Sequence, residues 1–95
     1  LSRNNMRALM EIPVSSDSPF EKITHVIDDV NDNLNLKELQ ITQKPYIFGF
    51  SNLNDGTLSI QVACYTTPGA QYNARNVLLK KYLNALKDAG INLPK

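Results

Sequence analysis

Tyr46-Ile47-Phe48-Gly49-Phe50-Ser51-Asn52-Leu53-Asn54-Asp55-Gly56-Thr57-Leu58-Ser59-Ile60-Gln61-Val62-Ala63-Cys64-Tyr65 is the stretch that decides the fold class. Its two arms are rich in the aromatic and branched residues that suit a pleated, half-buried surface. Between them Asn54-Asp55-Gly56 supplies residues that tolerate the positive φ angles of a tight hairpin. In the second arm Leu58, Ile60, Val62 and Cys64 point one way while Thr57, Ser59, Gln61 and Tyr65 point the other, so the hairpin has one buried and one wetter face. Tyr46, Phe48 and Phe50 alternate on one face of the first arm. Such a row can stack on the bases of single-stranded RNA, but no Lys or Arg interleaves it, which favours core or interface packing.

Toward the N-terminus, Met6, Ala8, Met10, Ile12 and Val14 alternate with Arg7, Leu9, Glu11 and Pro13, the period of a strand with one buried face. Asp17, Ser18 and Pro19 punctuate. Ser18 and Glu21 have the spacing of a capping box with Pro19 at the first helical position, and Phe20, Ile23, Ile27, Val30 and Leu34 then recur at helical steps as a stripe facing the sheet. From Asn33 to Lys44 the periodicity is poor. Leu36, Leu39 and Ile41 are expected to tuck a loop or short strand under the core, with Pro45 closing the connection.

Toward the C-terminus, Thr67-Pro68-Gly69 breaks the strand and a helix is predicted from Gln71 to Ala89, with Ala74, Leu78, Tyr82, Ala85, Leu86 and Ala89 on its core side. Gly90 reads as its left-handed cap and Ile91 as the accompanying apolar contact. Asn92-Leu93-Pro94-Lys95 leaves as an extended tail suited to a last edge strand. Strand, helix, hairpin, helix and short strand make an α+β, ferredoxin-like βαββα(β) two-layer sandwich, an antiparallel sheet with two helices on one face.

Ninety-five residues suffice for one core, so residues 1–95 are read as a single domain. Ten Lys and Arg against nine Asp and Glu give a formal charge of +1, too small a field for nucleic-acid binding. The single cysteine, Cys64, forms no intrachain disulfide and fits a reducing compartment. No apolar run approaches the roughly 20 residues that span a bilayer. The chain opens on Leu1, which suggests a fragment of something longer, with any membrane contact made only by upstream segments.

The chemistry of a catalyst is missing. His25 falls on the solvent side of the first helix beside Asp28 and Asp29, without a second strong ligand for a metal. Cys64 lies in the inward register of its strand, where free cysteine is usually core, and the only histidine lies on the far side of a helix. Gly69 before the second helix is not a phosphate loop. No catalytic, cofactor-binding or metal residue is therefore expected. The first helix is acidic (Asp17, Glu21, Asp28, Asp29, Asp32) and the second basic (Arg75, Lys80, Lys81, Lys87), which reads as solvated faces or, alternatively, as complementary docking between copies of the domain in a ring.

Ser2-Arg3-Asn4-Asn5 leading into the first strand, Pro45 before a hydrophobic strand, the Leu53 to Leu58 hairpin bearing Asp55, and above all Tyr72, Ala74, Arg75, Leu78, Leu79, Leu86 and Ala89-Gly90-Ile91-Asn92-Leu93-Pro94 resemble the C-terminal cytosolic domain of the small-conductance mechanosensitive channel (MscS-like) family. The family usually continues with an aromatic and another proline, whereas Lys95 follows here. The resemblance implies a structural vestibule domain and not an enzyme, at the cytosolic face of the cell membrane. It would support assembly and solute access to a pore, partnered by copies of itself in a heptamer. It also makes Ile91, Leu93 and Pro94 candidate subunit-interface residues, and removal of residues 90 to 95 should weaken oligomerisation more than it unfolds the domain. The alternative is a ferredoxin-like regulatory module of a soluble protein that binds a small molecule.

Overall fold

A computed structural model describes residues 5–52 and 56–92. The elements run β1 (Met6–Ser15), α1 (Phe20–Asp32), β2 (Ile41–Asn52), β3 (Thr57–Thr66) and α2 (Gln71–Asp88). Among the described residues the sheet has three strands in the order β1-β3-β2, both pairings antiparallel. The α+β two-layer reading holds. The tip of the predicted hairpin lies partly outside the described residues, but its flanks pair Asn52 with Leu58 and Gly56 adopts φ 82°.

Strand β3 is central, and its helix-facing residues are apolar from Leu58 to Cys64. Leu58, Ile60, Val62 and Cys64 lie opposite Val14, Ile12, Met10 and Ala8 of β1. Onto this surface α1 sets Ile23 and Ile27, and α2 sets Ala74, Leu78, Tyr82 and Leu86, all fully enclosed. Each buried Ile or Leu contributes about 1.5 to 3 kcal/mol of transfer free energy. Helix α2 covers β1, while α1 lies beside α2 over β2. One face of the sheet is thus roofed and the other is not.

Helix α2 ends as its sequence requires. Gly90 takes φ 81°, its N–H bonds to the Lys87 carbonyl, and the Ile91 N–H reaches back to Leu86, each at 3.0 Å. This is the paired-bond cap that a glycine just past a helix permits, with Ile91 folded into the core.

Helix α1 departs from expectation at its start. Pro19 is its N-cap, not its first turn, and no side chain caps it, so the Ser18–Glu21 capping box does not form. The preceding residues satisfy each other instead: the Ser18 N–H bonds to Ser15 O at 3.0 Å and Ser15 Oγ to Asp17 at 2.5 Å. Phe20 is likewise not core. It is 46% exposed and lies against Phe50, ring centroids 4.0 Å apart.

Strand β2 begins at Ile41, earlier than the proline suggested. Pro45 is tolerated because β2 is an edge strand whose irregular pairing does not need every N–H. Register shifts between Ile47 and Gly49 also undo the predicted aromatic row. Phe50 lies opposite Ile60 on the helix side, whereas Tyr46 lies opposite Ala63 and Phe48 approaches Arg7 on the open side. The expected final strand reduces, among the described residues, to one bond from Ser15 N–H to Asn92 O at 3.0 Å.

Candidate functional site

The most enclosed polar group is structural. The Tyr82 hydroxyl donates to Asn31 Oδ1 at 2.5 Å, and Asn31 Nδ2 donates to the Pro45 carbonyl at 3.2 Å. Three elements are thereby tied at one buried point: α2 through Tyr82, α1 through Asn31 and β2 through Pro45. Burial first, and the nearby Cys64 next, push the Tyr82 phenol well above its ordinary range. Burial also pushes the Cys64 thiol up to about 11. A thiol so protonated is a poor nucleophile, and the pair is packing, not a reactive dyad.

The sequence reading missed Asn31. Its signal was available: Asn31 follows Ile23 and Ile27 at helical steps, so a polar side chain sits in the apolar stripe and must find partners there.

His25 is exposed on α1, as its position opposite the apolar stripe implied. The acidic ridge it shares includes Asp28, Asp29 and Asp32, of which Asp32 pairs with Lys44 of β2. A groove of about 340 Å³ runs between the helices past Asp29, Asn33, Lys81 and Asn84. A second, on α2, is lined by asparagines and lysines. Neither brings a nucleophile to a base. Among the described residues no cluster of metal-ligating side chains occurs.

The uncovered face of the sheet is more informative, because it divides into two halves. Near the hairpin it is polar and internally bonded, with Ser59 Oγ to Glu11 at 3.3 Å and Gln61 Nε2 to Ser51 Oγ at 3.1 Å. Toward the other end it is apolar and exposed: Leu9 at 47%, Phe48 at 42% and Tyr46 at 37% stand around a sealed Ala63. The Arg7 guanidinium lies 5.5 Å from the Phe48 ring centre, a cation held over an aromatic face.

Of the predicted interface residues, Ile91 is buried in the chain's own core, and Leu93 and Pro94 lie outside the described residues. Ile91 therefore anchors the exit of α2 from within.

Residues 8–93 match the family described as mechanosensitive ion channel MscS, C-terminal. Among solved structures the chain resembles Helicobacter pylori MscS in its closed state, with a TM-score of 0.79 and 21% identity over 97% of this chain and 36% of that one. It also resembles Arabidopsis thaliana MSL1, with a TM-score of 0.71 and 14% identity over 97% of this chain and 34% of that one. At such identities the likeness establishes the fold. The chain spans about a third of the length of these channels. No curated protein matches it in sequence.

Proposed function

The chain belongs to the family of MscS mechanosensitive channel C-terminal domains, and from that premise we propose that it is a structural block of a channel's cytosolic vestibule. In this reading residues 1–95 are one domain of a longer membrane protein, and copies of it frame the approach that solutes take to the pore. The observation that carries the reading is the family match over residues 8–93. Supporting it is an interior given wholly to packing, in which the buried Cys64 and Tyr82 are held protonated.

Ile91, Leu93 and Pro94 form the exit segment through which copies meet, with Ile91 as its anchor. Because Ile91 completes the helix cap and the core, a truncation that tests assembly has to begin at Leu93; removing residues 90 to 95 would also open the end of α2. The test of the whole reading is electrical. The full-length protein, reconstituted in liposome patches, should pass current when suction is applied. A protein without hydrophobic spans upstream of Leu1, or one that stays silent up to patch rupture, overturns it.

A further inference from the structure

The sheet face opposite the helices carries residues whose exposure does not suit them. Leu9, Tyr46 and Phe48 are each more than a third exposed, and with Arg7 over the Phe48 ring they form the aromatic, aliphatic and arginine mixture that marks protein-binding centres. The bonded polar half beside them, Glu11–Ser59 and Gln61–Ser51, has the character of a rim.

The sheet's edges are partly blunted against such a partner. On β1, the Leu9 carbonyl accepts from Arg75 Nε at 3.2 Å and the Ser15 N–H is taken by Asn92, so the odd-numbered residues of β1 turn their backbone groups away from β3. Pro13 belongs to that set and has no N–H to offer. Strand β2 is broken by three register shifts. Edges blunted in these ways resist strand addition, which leaves the open face itself as the surface for association.

Charge selects what covers it. Arg7 is the ionised group of the aromatic half. The outward side of α2, with Lys80, Lys81 and Lys87, would repel it. The outward ridge of α1 presents Asp28 and Asp29, which among the described residues have no ion-pair partner. We infer that the Arg7–Leu9–Tyr46–Phe48 face of one copy docks on the Asp28–Asp29 ridge of α1 in a second copy. This rests on the reading of the chain as a repeating block, and adds which surfaces meet. Because sheet and helices lie on opposite sides of the sandwich, the contact is head to tail, the kind that repeats from copy to copy and makes a ring where its rotation closes. Three apolar side chains and two or three charges fall short of the roughly 800 Å² per partner of a standard interface. Isolated copies therefore associate weakly, and tethering many of them in one assembly supplies the rest.

The test uses the 95-residue chain alone, with no membrane and no current, so that its failure is separable from failure of the channel reading. Dilution from millimolar concentration, followed by amide NMR and sedimentation, should shift two sets of resonances together, residues 7–9 with 46–48 and residues 28–32, and should show species beyond a dimer. Shifts confined to the open face, shifts confined to the helices, or a monomer throughout would each overturn the inference. Arg7→Glu alone, and Asp28→Lys with Asp29→Lys alone, should each lower the association constant about tenfold. Combining the three changes in one chain should restore it; no recovery in a chain whose melting is unchanged also overturns the assignment.

Discussion

The two faces of one sheet obey different rules. On β3, Leu58, Ile60, Val62 and Cys64 meet the helices and are sealed, while their neighbours Ser59, Gln61, Ala63 and Tyr65 face away. The sealed set has no freedom, because every atom has a partner at packing distance. The open set is held by the Ser59 and Gln61 bonds at one end, and at the other Ala63 is covered by Leu9, Tyr46 and Phe48 of the flanking strands, which themselves stay exposed. The difference teaches where to look for each property: stability is written on the helix-facing set, association on the other.

The sharpest way to break that division is a matched pair of truncations. Leu78→Ala opens a cavity under α2 and should cost about 2 to 5 kcal/mol in urea unfolding. Phe48→Ala, on the open face, should cost less than about 1 kcal/mol. Comparable losses from both would mean that the open face is part of the core.

Alkaline titration comes next. The folded Cys64 thiol ionises near 11 against an ordinary 9.0. Below pH 9 folded and unfolded chains both keep the proton, so the group adds no pH dependence. From there to pH 11 the unfolded chain releases it first and stability falls, by about 1.4 kcal/mol per pH unit. Tyr82, also raised by burial, prolongs the decline. Cys64→Ala should flatten the first part of this slope in melts taken from pH 8 to 11. An unaltered slope would place the thiol in contact with water.

How much of this was legible in the sequence tracks the same division. Period-two alternation in residues 6–14 and 57–65 placed both strands and their inward faces, and Gly90 marked its cap, since each depends on local chemistry alone. Misreadings fell where tertiary contact decides. The bulge that sends Phe50 to one face and Phe48 to the other depends on pairing with β3, which no periodicity within β2 reveals. The uncapped start of α1 follows from the chain's entry angle, which puts Pro19, without a side-chain acceptor, at the N-cap in place of Ser18. The exposed patch of Leu9, Tyr46 and Phe48 needed the register of all three strands before its members could be seen as neighbours.

The buried node gives a smaller effect. Tyr82→Phe removes one hydroxyl and leaves Asn31 Oδ1 short of a donor, a loss of about 1 to 3 kcal/mol. Asn31→Ala should cost a similar amount, and the two together should cost less than their sum, because each already breaks the same bond. Strict additivity in a double-mutant cycle would show that the 2.5 Å contact carries no coupling.

The smallest change tests the ordered half of the open face. A Cβ at Gly49 would stand 2.8 Å from Gln61 Oε1, too close to remain. The obstacle is the end of a flexible side chain and not backbone, so Gln61 can swing aside, giving up its bond to Ser51. Gly49→Ala should therefore destabilise by about 1 kcal/mol, the value of one such bond, and in a Gln61→Ala background, where that bond is already absent and the obstacle gone, it should cost nothing further. A loss of about 3 kcal/mol or more, unrelieved by the second change, would mean that Gly49 is fixed by its backbone and that the open face is as tightly determined as the roofed one.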